Sequence, residues 1–296
     1  MYQDVVELKA FYESPLGRIT ARLIRRQITD LWPDMPGIDV MGLGYATPYL
    51  DVYRNRAQHV ANIMPAAQGV MRWPRHNGNL NKHQDRRDHP YHYNGNLTVL
   101  AHEGQLPIRD AAIDRILMVH ILEHTEKSRA LLREVWRCLA PGGRVIVIVP
   151  NRVGFWSRND HTPFGHGKPF STLQIRQLLN DNMLTPTRNR TALHLPAFSN
   201  RSLLSLMSGL ERTGQRWWAH LSGTLILEAE KAGAKRALVN ARMTEKSAQG
   251  WQRFHQTFRA LVGRFDAVLA ADEDTARRLA NLMGKPVVCT GNLKSA

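Results

Sequence analysis

Cysteine is nearly absent from this 296-residue sequence: only Cys138 and Cys289 occur, which gives no disulfide framework and no paired metal spacing. A reducing, cytoplasmic setting fits that scarcity. Long hydrophobic runs are absent too, and no window approaches the ~20 apolar residues that span a membrane. The opening stretch, MYQDVVELKAFYESPLGR, carries acids and no apolar leader core, so no signal peptide is expected. No basic run interleaved with aromatics supplies a base-stacking groove, so no specific nucleic-acid partner is expected either.

Negative charge is in short supply. Against 40 Lys and Arg stand 25 Asp and Glu, a net charge of +15. Twelve of the basic residues but only five of the acidic ones fall in residues 231–296, so the excess concentrates there. Such an excess bears on solubility and anionic partners rather than on fold. A solvated basic surface is the simpler reading, and peripheral association with an anionic membrane surface is the other. With 43% apolar and 22% charged residues, the composition is otherwise that of a globular protein.

What the sequence does have is alternation. Residues 15–31 set Leu16, Ile19, Leu23, Ile24 and Ile28 at helical spacing, with Arg18, Arg22, Arg25 and Arg26 between them. A helix packed on the first domain explains this more simply than a membrane-surface helix. After it, IDVM, HVANIM, NLTVLAHE, AIDRILMVH and GRVIVIVP read as five strands. One helix is expected near residues 48–58. Another lies between the last two strands, where Leu131, Leu132, Val135, Trp136 and Leu139 mark one face, closed by Pro141-Gly142-Gly143. The β-branched fifth run suits a strand buried on both faces of a parallel sheet. The expected fold class is therefore α/β, a doubly wound sheet whose ligands sit beyond the carboxyl ends of its strands. Residues 72–96 break the rhythm. His76, His83, His89 and His92 lie there, but their spacing matches no metal-binding pattern, and no metal is expected.

At the end of the first strand, Gly42-Leu43-Gly44-Tyr45-Ala46 makes a G-x-G turn. Such a turn lets backbone approach a ligand closely, and the following helix offers free N–H groups to anions. Alone the signal is weak. Downstream come Leu106-Pro107, Asp114, His120-Ile121-Leu122-Glu123-His124 and Leu139-Ala140-Pro141-Gly142-Gly143, in that order. This set resembles the later half of the class I S-adenosylmethionine-dependent methyltransferases of the type-11 kind, and the resemblance covers roughly residues 10 to 225.

The resemblance implies a Rossmann-like domain with S-adenosylmethionine as its cofactor. Gly42, Leu43 and Gly44 would cradle the methionine part, with Asp39 one place from the position where an acid is usual. Ala46 stands where a third glycine is usual. No Asp or Glu occurs between Asp51 and Asp85, so the ribose carboxylate is missing and Gln68 is the substitute. Glu103 is the candidate for the adenine. His120 follows the fourth strand and is the candidate catalytic base, touching cofactor and acceptor; Glu123 and His124 serve equally well to open the next helix. No Asp/Asn-Pro-Pro-aromatic run follows, which counts against methylation of exocyclic amines. In the loop of residues 151–171, Trp156, His161, Phe164, His166 and Lys168 are expected to wall the pocket of a small-molecule methyl acceptor.

Residues 224–296 change character. LVNARM (238–243), RFDAVLA (264–270) and TGNLK (290–294) resemble a stretch of Kdo transferase, the enzyme that adds 3-deoxy-manno-octulosonic acid to lipid A. LILEAEK suits both families, which places the join in residues 223–231 and the expected domains at 1–230 and 231–296. The lobe that would bind the CMP-sugar and the part with the catalytic acid have no counterpart here, so the tail is expected to be non-catalytic. Lipopolysaccharide synthesis implies a Gram-negative-type host. Two short strands, ALVNA and AVLAA, a helix at 273–283 and a last strand VVCTG bury little apolar surface for a domain of this size. Loose order, docking, or self-association through the tail follows. The sequence thus supports a methyltransferase with a truncated Kdo-transferase-like tail, or a non-enzymatic binding protein that keeps the fold and has lost effective cofactor binding.

Overall fold

The computed structural model describes residues 2–33, 36–73, 97–197, 221–233, 237–263, 265 and 267–291. The histidines of residues 74–96 and the last residues of TGNLK lie outside them. The chain forms two compact units, divided between Ala232 and Gly233.

The first unit opens with two helices, α1 (Val5–Glu13) and α2 (Pro15–Leu31). Ser14 separates them and caps α2, its hydroxyl accepting from the Gly17 N–H. Then follow β1 (Asp39–Gly44), the short α3 (Thr47–Leu50), β2 (His59–Pro65), β3 (Thr98–Ala101), β4 (Ile113–Val119), α4 (Ser128–Cys138), β5 (Leu139–Pro150), α5 (Thr172–Asp181), β6 (Leu184–Ala192) and β7 (Thr224–Lys231). The sheet order is β3-β2-β1-β4-β5-β7-β6, parallel except for β7, which runs against both neighbours. All five expected strands are present. The helix expected near 48–58 is shorter: α3 ends at Leu50 and continues only as a single 3-10 turn, Asp51–Tyr53. The Pro141-Gly142-Gly143 stretch lies inside β5 rather than closing α4, because β5 begins directly after Cys138.

Alternate residues of the strands enter two separate cores, as a period of two requires. Leu117, Val119, Ile146 and Ile148 face α1 and α2, which contribute Leu8, Ile24 and Ile28. Ile116, Met118, Val145 and Val147 face the other way, toward Leu131, Leu132 and Val135 of α4. The apolar stripe of α2 is therefore buried against the sheet, and the membrane-surface reading of this helix does not hold. On β7, beside the edge strand β6, Glu228 is fully buried, yet it accepts from Arg188 Nε at 2.5 Å, Arg188 Nη2 at 2.8 Å, Trp32 Nε1 at 2.9 Å and Thr187 Oγ1 at 3.0 Å. Four donors keep that carboxylate ionised, and its pKa is lowered although burial alone would raise it.

The second unit contains β8 (Ala237–Ala241), α6 (Glu245–Gln252), α7 (His255–Val262), β9 (Ala267–Ala270), α8 (Glu273–Met283) and β10 (Val288–Cys289). Its three strands pair in parallel in the order β10-β9-β8, around a small core of Ala248, Phe258, Val268, Leu279 and Leu282. Among the described residues no helix is long and apolar enough to cross a membrane.

Candidate functional site

The strand order reverses between β1 and β4: the chain steps outward from β1 to β2 and β3 on one side, and from β4 to β5 on the other. Such a switch point leaves a crevice at the carboxyl ends of the two strands. Here those ends are Gly44 and Val119, paired in register, and the residue after Val119 is His120.

Both strands leave the sheet in a left-handed conformation. Gly44 has φ +80°, and a side chain there would overlap the Val119 carbonyl oxygen. That oxygen instead accepts from the Tyr45 N–H at 2.9 Å. His120 has φ 52°, a conformation costing a non-glycine residue about 1–3 kcal/mol. Its carbonyl accepts from Gln68 Nε2 at 3.0 Å. The bend folds the following turn back, with Thr125 N–H donating to the Ile121 carbonyl at 3.1 Å, and so brings Glu123 under the imidazole.

The result is a buried polar chain. His120 Nδ1 lies 3.1 Å from Glu123 Oε1, and His120 Nε2 lies 2.8 Å from the Tyr12 hydroxyl, which is 2.7 Å from that of Tyr49. Tyr12 comes from α1 and stacks on Tyr45 at 5.4 Å, while Phe164 closes the other side of His120 at 4.9 Å. His120, Glu123, Tyr12 and Tyr49 are all buried. Burial pushes the Glu123 carboxyl up, but the hydrogen bond from His120 and the fields of His120 and His124 outweigh it, and the group sits below its ordinary value. Burial and the neighbouring phenols push Tyr12 well above its ordinary value. Tyr45, buried near the Glu13 carboxylate, is pushed up to about 12. With Glu123 ionised, Nδ1–H donates to it, and Nε2 keeps a lone pair that accepts from Tyr12.

The other expected site residues divide sharply. Gln68 lies against His120, and its Oε1 is buried without a hydrogen-bond partner among the described residues. Gly42 sits inside β1, where its missing side chain leaves room for Asn62 and Leu50. Asn62 Nδ2 donates to the Gly44 carbonyl at 3.0 Å. Leu43 points its side chain into the core on the opposite face, so only its backbone borders the turn. Asp39 does not reach the turn. It begins β1, about 16 Å from Gly44 at ~3.3 Å per residue, and accepts from His59 Nδ1 at 2.8 Å. Glu103 is half-buried with both oxygens engaged, by the Tyr2 hydroxyl and by Thr125 Oγ1.

In the 151–171 loop, Phe164 and Lys168 reach the site: the Lys168 N–H donates to the Glu123 carbonyl at 2.8 Å. Trp156 stands one layer back, fully buried, its indole N–H donating to the Leu195 carbonyl at 2.7 Å, so it is a packed connector residue. His161 and His166 are exposed, and His166 Nε2 is 2.9 Å from the Asp160 carbonyl oxygen. A cleft of about 660 Å³, lined by Glu123, His124, Thr125, Lys168 and Gln174 among others, opens this side of the site to solvent. Sequence reasoning missed Tyr12, Tyr45, Tyr49 and Asn62. Tyr45 and Tyr49 gave no helical spacing to read, because Tyr45 precedes α3. Tyr12 offered none, since 108 positions separate it from His120.

Comparison with known proteins agrees with this geometry. Residues 41–147 match the family model described as a methyltransferase domain, which spans both strands of the switch point. Residues 218–296 match the model of 3-deoxy-D-manno-octulosonic-acid transferase, beginning ahead of β7. A probable S-adenosylmethionine-dependent methyltransferase of Mycolicibacterium smegmatis is 31% identical over 77 residues, 25% of this chain and 30% of the relative. The chain thus spans less than a third of the length of that relative. Two solved structures share the fold. A SAM-dependent methyltransferase of Thermotoga maritima has a TM-score of 0.50 at 13% identity, covering 77% of this chain and 96% of its own. A methyltransferase in complex with the Haloferax volcanii Trm112 activator has a TM-score of 0.51 at 16% identity, covering 79% and 100%. The resemblance to class I methyltransferases, followed by a Kdo-transferase-like segment, is shown on both counts.

Proposed function

We propose that the first unit is an S-adenosylmethionine-dependent methyltransferase acting on a small acceptor, with its site at the β1–β4 switch point. The observation that carries this reading is a pair of buried acceptor atoms near the Gly44 turn without hydrogen-bond partners among the described residues, Gln68 Oε1 and Asn62 Oδ1. Unpaired buried acceptors are costly, and a ligand bearing ribose hydroxyls and an ammonium group supplies the donors they lack. The residues therefore fit the cofactor, although the described residues directly after β2, 66–73, hold no carboxylate for the ribose. Gln68 and Asn62 would hold its sugar and amino-acid portions, and Tyr12 and Tyr45 would exclude water from it.

When bound, the cofactor supplies an electrophilic methyl group on a sulfonium. The protein's work is then alignment of the acceptor. Glu123 fixes the orientation of His120 through Nδ1–H, and Nε2 is the atom that receives the acceptor's proton, with the Tyr12 hydroxyl as the intervening donor and acceptor. The 660 Å³ cleft beside Lys168 admits the acceptor.

Calorimetry on the purified chain tests the main reading. Micromolar binding is expected, because the charge-assisted bonds of the missing acids are each worth ~1.5–3 kcal/mol. Gln68→Ala should weaken it further. Absence of binding at millimolar cofactor supports the second reading, a binding protein that keeps the fold, which is favoured by Glu103 being already committed to Tyr2 and Thr125.

A further inference from the structure

Among the described residues, one cluster of side chains has the character of a metal-ligand set. His120, Glu123 and His124 each present a ligand atom, all within 4.8 Å of one another, and all three are buried. We propose that this His-Glu-His cluster binds a divalent first-row transition metal, with an open coordination position toward the Lys168 cleft. The site shares His120 and Glu123 with the methyl-transfer site proposed above, and its test with metal alone reads separately from cofactor binding.

Three observations support this. Two imidazoles and one carboxylate are a donor set shared by catalytic zinc sites and by non-haem iron, manganese and cobalt sites. His120 Nδ1 and Glu123 Oε1 stand 3.1 Å apart, close to the ~3.3 Å between two ligands of a tetrahedral ion at 2.0–2.1 Å. Glu123 is 3% exposed, and its second oxygen, Oε2, has no hydrogen-bond partner among the described residues. A buried carboxylate with an unpaired oxygen calls for a cation or a donor, and the two imidazoles beside it favour a metal. The outer contacts also fit. With the metal on Nδ1, the neutral ring carries its proton on Nε2 and donates it to the Tyr12 hydroxyl, which is the kind of partner that fixes a ligating histidine. The left-handed backbone of His120 is what turns Glu123 back under the ring, so the strained residue builds the site. In the metal-bound form Nε2 carries a proton, so the proton-accepting role proposed above belongs to the metal-free form.

The test uses the full chain, stripped with chelator and equilibrated with zinc alone or cobalt alone. About one zinc per chain should survive gel filtration, and cobalt should give visible absorption of a four- or five-coordinate site. His124→Asn and Glu123→Gln should each lower zinc affinity at least tenfold, with folding checked by circular dichroism. A quadruple variant, His76→Asn, His83→Asn, His89→Asn and His92→Asn, should bind as the parent does and covers the case in which a buried variant fails to fold. Zinc retained by folded His124→Asn, lost in the quadruple variant, or never bound by the parent overturns the proposal. Calorimetry with S-adenosylmethionine on the metal-free chain reports separately on the cofactor reading.

Discussion

In the first unit a parallel strand is buried on both faces; in the second it is not. Every residue of β5 from Val145 to Val149 is buried, with helices on either side of the sheet. Both residues of β10 are exposed, and Val239 of β8 and Val288 of β10 stand 46% and 59% open. Parallel sheets normally have both faces covered. The second unit therefore has its own hydrogen-bonded sheet but only part of the layering such a sheet calls for. Pairing forms a sheet, whereas the layers around it decide how tightly its backbone is held. The two units should differ most where a substitution tests that tightness.

The largest effect is expected at Gly44. Its positive φ and the Val119 carbonyl against its α-carbon leave no space for a side chain, and the switch point cannot open without losing the Tyr45 hydrogen bond. Gly44→Val should destabilise the first unit by more than about 3 kcal/mol, read as a large fall in its melting temperature. A change under 1 kcal/mol would mean that β1 and β4 part easily. For the same reason the variant reports on folding first and on cofactor binding only second.

Next comes Glu228. Glu228→Gln leaves Arg188 and Trp32 without their anion and should cost about 2–3 kcal/mol, below the 3–5 of a fully buried pair because Arg188 is 39% exposed. Its lowered pKa also sets a pH dependence. The folded carboxyl titrates below the ordinary carboxylate range, so its contribution is complete above that range. As pH falls below about 4.3, the unfolded chain takes up the proton first and stability drops until the folded group is protonated too. Acid unfolding of the variant should lack that component. Identical acid profiles for parent and variant would show that the network contributes nothing.

Gly284 in the second unit is the counterpart to Gly44. It also has positive φ, but a side chain there meets only the end of the flexible Arg259 side chain, at 3.3 Å. Gly284→Ala should cost about 1 kcal/mol, the left-handed penalty alone, measured by hydrogen exchange in residues 273–283. A cost as large as that at Gly44 would show that the second unit is as tightly built as the first.

The elements were legible in the sequence wherever one local pattern sufficed. The β-branched run at 144–149 and the helix face of Leu131, Leu132 and Val135 needed no partner to be recognised. His120 and Glu123 were legible as a strand end, but their contact depends on the left-handed backbone of His120, which a histidine's identity does not announce. Tyr12 was illegible because only the fold brings α1 over the β1–β4 crevice. Asp39 misleads because closeness to Gly42 in sequence is not closeness to the turn; four residues of extended strand separate it from Gly44. Trp156 misled in another way, since an aromatic residue in a glycine- and proline-rich loop suits a pocket wall and a buried anchor equally.

The smallest effect concerns where the units divide. LILEAEK suits both families, so sequence alone placed the boundary after Glu230. Yet the two residues after that point are tied into the first unit. Lys231 Nζ donates to the Leu139 carbonyl at 2.5 Å and lies 4.3 Å over the Trp136 ring. The Ala232 N–H donates to the Met183 carbonyl at 2.9 Å, and its own carbonyl accepts from Trp136 Nε1 at 3.4 Å. A chain ending at Glu230 loses all of these, each a net ~0.5–1.5 kcal/mol in a partly exposed setting. A chain ending at Ala232 keeps them and sheds only the unit whose sheet has exposed faces. It should therefore melt within a degree or two of the full chain's first transition, bind S-adenosylmethionine with unchanged affinity and remain monomeric at higher concentration. The shorter chain should melt several degrees lower. Equal melting of the two truncations would show that the edge of β7 contributes nothing. Loss of folding in the longer one would mean that residues 233–296 complete the first unit rather than follow it.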